Sequence, residues 1–134
     1  MTMNTLTTEP ELTRQAELMA TLEDKKAQLI PRFRQGFLQR ERAVFQFNFD
    51  VEEAFYLQID GADLDLQPGQ HPQPTINLYI DNHQTCWGLI DGRVDGMEAF
   101  LRGQYRADGN IVLSQLLLYL FRSYDSTIAY EVQD

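Results

Sequence analysis

The sequence predicts an α+β domain in which a five-stranded sheet, mixed and mostly antiparallel, carries helices packed on one face. Three observations predict it. Apolar and polar residues alternate with period two in four segments between positions 43 and 81, as strands with one buried face require. The flanking segments, 12–38 and 111–121, repeat instead at helical spacing. Each strand keeps one solvated face, so the helices belong on a single side of the sheet and a doubly wound arrangement is excluded. A chain of 134 residues, 43% of them hydrophobic and 23% charged, is sized for one core.

The elements follow in order. Residues 1–8 are Thr-rich, lack periodicity and are read as a disordered N-terminus. Glu9, Pro10 and Glu11 place acids and a proline where a helix start favours them. Leu12, Ala16, Leu18, Met19, Leu22, Ala27, Leu29 and Ile30 then form a narrow apolar stripe that Pro31 interrupts, and a second short stretch carries Phe33, Phe37 and Leu38. Phe45, Phe47 and Phe49 alternate with Gln46, Asn48 and Asp50, which predicts the first strand. Phe55, Leu57 and Ile59 give the second, and Ala62, Leu64 and Leu66 the third after Gly61. Pro68, Gly69, Pro72 and Pro74 make a loop, and Ile76, Leu78 and Ile80 give the fourth strand.

Asp81 and Gln84 frame the start of a short helix through Trp87 and Ile90, ended by Asp91 and Gly92. Asp95 and Glu98 form a second capping pair for the turn carrying Met97, Phe100 and Leu101, which Gly103 ends before a fifth strand at Gln104–Ala107. Asp108, Gly109 and Asn110 turn the chain into a last helix. There Leu113, Leu116, Leu117, Leu120 and Phe121 repeat at helical spacing, and Ile111, Val112, Leu118 and Tyr119 add apolar area off that stripe. This is more apolar surface than one contact with a sheet needs. The organisation is therefore one domain over 9–122 followed by a tail, 123–134.

Composition excludes several classes of function. The net charge of −9 is uneven, +1 over residues 1–42 and −10 over 43–134, and a body so acidic repels phosphate backbones, which excludes nucleic acid as a partner. Lys25, Lys26, Arg32, Arg34, Arg40 and Arg42 either face an anionic headgroup or acidic partner, or form a solvated face balanced by Glu23, Asp24 and Glu41. No apolar run reaches the roughly 18 residues of a membrane span, so no integral anchoring is expected, and residues 1–10 lack the pattern of a signal peptide. The expected compartment is the cytoplasm. Cys86 is the single cysteine and reads as a small buried hydrophobe.

The segment from Gly88 to Leu120 resembles the most recognisable stretch of the sterol carrier protein type two family. In that family a short helix ends in a Gly and a basic residue, here Gly92 and Arg93, and the chain continues to an Ala-Phe pair, here Ala99 and Phe100. A further Gly, here Gly103, opens a strand, and a Gly-Asn pair, here Gly109 and Asn110, starts a leucine-rich helix. The order upstream, an N-terminal helix and then three strands before a fourth, is also similar, so the resemblance covers about residues 12–121. It implies helices covering one face of a five-stranded sheet, with an apolar tunnel between the layers that takes fatty acyl chains, sterols or isoprenoid molecules. It implies no catalytic residues and no cofactor. By position the apolar walls correspond to Trp87, Phe100, Leu101, Leu113, Leu116, Leu117 and Leu120. The chain ends in Glu131, Val132, Gln133 and Asp134, unlike the peroxisomal address of eukaryotic members.

A carrier of this kind needs no charge or metal. Burying about fourteen methylenes at about 0.8 kcal/mol each gives on the order of 11 kcal/mol before association costs of about 4–15 kcal/mol, consistent with micromolar binding. Other readings of the residues are weaker. His83 and Cys86 lack the second pair that a tetrahedral metal site needs. Asp60, Asp63, Asp65 and His71 offer a general base, but Asp63 and Asp65 fall on the solvated face of a strand. The glycines match no phosphate-binding loop. Trp87 and Phe100 either line a tunnel or fill the core. Three functions stand at this point: a lipid-binding or lipid-transfer module, an accessory domain docking an enzyme of lipid or quinone metabolism or a second copy of itself, and an enzyme acting on an acyl or isoprenoid substrate. The first is expected.

Overall fold

The computed structural model of the chain describes residues 2–34, 38 and 42–121, with 2–11 described as backbone. Helix α1 spans Thr2–Leu29 and passes into a 3-10 turn at Ile30–Arg32. The strands are β1 (Arg42–Asn48), β2 (Phe55–Asp60), β3 (Asp63–Pro68), β4 (Ile76–Ile80) and β5 (Tyr105–Gly109). Helices α2 (His83–Asp91) and α3 (Gly96–Leu101) lie between β4 and β5, and α4 (Ile111–Leu120) follows β5. The sheet order is β3-β2-β1-β4-β5, with β1 and β4 parallel and the other pairs antiparallel. The chain is thus α+β with a mixed sheet of five strands.

Register builds the core in rows. Leu66, Leu57, Phe45 and Ile76 lie opposite one another across four strands, and Phe55, Phe47, Leu78 and Ala107 form the next row. Phe45, Phe47, Phe55, Leu57 and Leu78 are fully buried. The period-two pattern needs this register, because a slip by one residue would turn every apolar side chain to the wrong face. Over these rows pack Leu18, Leu22 and Leu29 of α1, Trp87, Leu89 and Ile90 of α2, and Leu113, Leu117 and Leu120 of α4.

Helix α1 lies along β3, where Lys26 Nζ meets Asp65 Oδ1 at 3.2 Å. Burial pushes the Asp65 carboxyl up, but hydrogen bonds from Gln67 and Lys26 outweigh it and hold the group below its usual range. At the other end, Phe121 stacks obliquely on Phe33 with ring centroids 5.7 Å apart, and the Arg34 N–H donates to Leu120 O at 2.8 Å.

Four boundaries differ from the sequence reading. Helix α1 begins at Thr2 rather than Glu9 and carries Pro10 inside it: acids and proline mark where a helix starts at least cost, not where it must start. Ala62 sits exposed in the β2–β3 turn instead of opening β3. The cap of α2 is Asn82, whose Oδ1 accepts from Thr85 N at 2.8 Å, instead of Asp81. Strand β5 starts at Tyr105 and runs on to Gly109, which keeps pairing with Ile76. Phe37, Arg40, Glu41 and the tail at 123–134 lie outside the described residues.

Candidate functional site

The last helices meet the edge strand around one apolar groove. Asp95 caps α3 by accepting from Glu98 N at 3.0 Å, and Asn110 caps α4 by accepting from Leu113 N at 3.1 Å. These caps fix the starts of two helices that flank β5. Gly96 lets them approach closely: a Cβ there would stand 2.6 Å from Leu118 Cδ1. The groove between them holds about 250 Å³, and Met97, Phe100, Tyr105, Ile111, Ser114 and Leu118 are among its walls.

Its polar content is small. Tyr105 is nearly buried, and burial pushes its phenol above the ordinary value while a hydrogen bond with Ser114 works the other way. Ser114 is itself buried and donates to Ile111 O at 2.7 Å. Gln115 is exposed at the margin. An apolar cleft with a few fixed polar groups is the usual form of a site for an apolar ligand, although this one lies just under the about 300–1,000 Å³ of drug-sized pockets. Of its walls Met97, Phe100 and Ile111 are half or more exposed, as are Leu101, Val112 and Tyr119 on the same two helices.

The wall residues expected from the sequence divide between core and surface. Trp87 lies on Phe55 with nearly parallel rings 5.0 Å apart, under the Lys25 ammonium at 5.3 Å. Leu113, Leu117 and Leu120 are buried in the core, and Leu116 packs against it partly exposed. Phe100 lines the groove, whereas Leu101, 75% exposed, is not among its walls. Residues the sequence reading did not single out as walls are Met97, Tyr105, Ile111, Ser114 and Leu118. The signal for two of them was available: Ile111 and Leu118 are among the apolar residues off the main stripe of α4.

The other candidates are tied up locally. The His83 Nε2 lies 2.7 Å from Glu53 O, the His83 backbone N–H donates to Glu52 Oε1 at 2.6 Å, and the ring meets Phe49 edge-on. Cys86 is fully buried, and burial pushes its thiol well up. Among the described residues no group of three or more His, Cys, Asp or Glu is placed to hold a metal. Asp60 pairs with Arg42 at 3.3 Å, Asp65 with Lys26, and His71 Nδ1 accepts from Gln73 N at 3.0 Å. Of the basic residues near the N-terminus, Lys25, Lys26 and Arg42 thus face partners within the chain. Among the described residues no helix is long and apolar enough to cross a membrane.

By sequence the chain matches no family model and no curated protein. By fold it matches solved structures. It superposes on a UbiJ-SCP2 ubiquinone synthesis protein with a TM-score of 0.63 and 12% identity, covering 75% of this chain and 92% of that one. Against palmitated SCP2L2 from Aedes aegypti the TM-score is 0.52 at 16% identity, with 73% and 88% covered. Against the inverting sec-alkylsulfatase Pisa1 from Pseudomonas sp. it is 0.60 at 15% identity, covering 72% of this chain, which spans only 16% of that enzyme's length.

Proposed function

We propose that this chain, which has the sterol carrier protein 2 fold, binds a lipid, with an acyl or isoprenoid chain entering the groove between α3, β5 and α4. The observation that carries the reading is the groove itself: an apolar cleft whose walls are exposed Phe100, Met97 and Ile111, with the Tyr105–Ser114 pair as its polar handle. Two of the superposed proteins support it, one palmitated and one a ubiquinone synthesis protein. A groove of 250 Å³ holds part of such a chain. The role is binding rather than turnover, in the cytoplasm, with no cofactor.

The test is native mass spectrometry of the purified protein, with organic extraction of whatever accompanies it, and displacement of a fluorescent C16 fatty acid. A stoichiometric apolar adduct and saturable micromolar displacement are expected. Ile111→Trp, which fills the groove from an exposed wall position, is expected to weaken binding about tenfold or more while the melting temperature moves by only a few degrees. An adduct-free mass together with no displacement overturns the reading. The exposed surround of Leu101, Val112 and Tyr119 then favours a docking face for a partner enzyme or a second copy, visible as a concentration-dependent mass.

A further inference from the structure

A second cavity, of about 430 Å³, adjoins the apolar groove and shares Phe100 and Tyr105 with it as walls. It lies where the parallel strands β1 and β4 both end, and Asn48, Asp50, Tyr79, Asp81 and Arg106 are among its linings.

Its polar groups are unevenly matched. The Asp81 N–H donates to Gln104 O at 3.0 Å, but Asp81 Oδ1 is sealed from solvent without a hydrogen-bond partner among the described residues. Asp50 is exposed at the margin. The Arg106 guanidinium lies over the Tyr79 ring, 4.5 Å from its centroid, and makes no ion pair with either carboxylate. A buried carboxylate oxygen without a donor is unfavourable, and a turn of the Asp81 carboxylate toward a donor brought into the cavity by a ligand removes that penalty.

We propose that the two cavities form one site for an amphiphile, its chain in the apolar groove and an ammonium head in the second cavity, where it donates to Asp81 beside Asp50. The inference rests on the lipid-binding reading of the groove and adds the chemistry of the head. A carboxylate head placed there meets two carboxylates against one guanidinium, Arg106, which is held over the Tyr79 ring, so the cavity favours the cationic head.

Dodecylammonium and dodecanoate carry the same chain with opposite heads. Both are titrated calorimetrically into the full chain below their micelle-forming concentrations, at about 0.5 M salt, so that general attraction of a cation to the acidic surface is screened. Dodecylammonium is expected to bind about tenfold tighter or more than dodecanoate. Asp81→Asn, which keeps the side-chain shape, is expected to remove most of that preference by weakening dodecylammonium about tenfold, with dodecanoate within about twofold. Asp63→Asn removes the same charge from an exposed hairpin position and is expected to change neither. If thermal melts show that Asp81→Asn has not folded, exposed Asp50→Asn carries the test, with a partial loss of preference expected. Equal binding of the two amphiphiles, or an equal effect of Asp63→Asn, overturns the assignment of the head and leaves the lipid reading standing. No binding of either amphiphile overturns both.

Discussion

Gln46 is the residue whose environment departs furthest from its pattern. On the alternation it belongs to the solvated face of β1, yet it is completely buried, because the loop after β3 folds over that face. Its Nε2 donates to Gly69 O at 3.0 Å and Phe55 O at 3.2 Å, and its Oε1 accepts from His71 N at 2.8 Å. Gln46→Leu leaves these groups unpaired, and chemical denaturation is expected to show a loss of about 1–3 kcal/mol, with the 69–74 loop gaining hydrogen exchange. Leu117 gives the contrasting case on α4. It is 3% exposed, so Leu117→Arg buries an unpaired charge and is expected to destabilise by about 4 kcal/mol or more, losing lipid binding with the fold. Ile111, exposed on the groove wall, is the place where binding and stability separate. A Leu117→Arg chain that melts like the unsubstituted protein would contradict the burial assigned to that side chain.

At the scale of elements, the groove depends on two short helices that hold little stability of their own. Helix α3 has six residues, too few to persist without its cap and its packing. Asp95→Ala removes the acceptor for Glu98 N and is expected to cost about 1 kcal/mol. Because α3 carries Met97 and Phe100 into the groove, the same change is expected to weaken fatty-acid displacement several-fold, more than it lowers the melting temperature in proportion. Unchanged displacement in a measurably destabilised variant would detach α3 from the site. The strands were readable from sequence because period two and the turn glycines agreed. The caps at Asp95 and Asn110 were readable as well, since a short polar side chain before an apolar run has few other uses there. The cap of α2 was misread by one residue, since Asp81 and Asn82 are equally capable acceptors. Backbone pairing of Asp81 N with Gln104 O ties Asp81 to the sheet and leaves the cap to Asn82.

At the scale of the molecule, α1 is held to the sheet edge by a buried stripe and by the Lys26–Asp65 contact. The folded Asp65 group is held below its ordinary value near 3.8, so its contribution is present above that value and is lost as pH falls through the folded one. Lys26, raised above 10.5 by the same partner, loses its share only as pH climbs beyond that range. The stability difference between the unsubstituted chain and Asp65→Asn is therefore expected to be constant from about pH 5 to pH 9 and to shrink below about pH 3. A difference that grew in acid would reverse the sign assigned to Asp65.

What the sequence determined by itself was local and periodic: the class of fold, all five strands, the last helix and the apolar face of each, because burial writes itself into spacing of two or of 3.6. The resemblance around Gly92, Ala99, Phe100, Gly103 and Gly109 pointed to the same fold that the superpositions display. Only the tertiary structure decided the parallel pairing of β1 with β4, since alternation is blind to strand direction. It also decided which apolar stripe of α4 enters the core and which borders a cavity. Leu113, Leu117 and Leu120 meet the sheet and are consumed by packing, whereas Ile111, Ser114 and Leu118, turned toward α3 and β5, are left to line the groove. Hydrophobicity alone does not separate the two stripes. The approach of α3 across Gly96 does, and that approach exists only once the helices have docked.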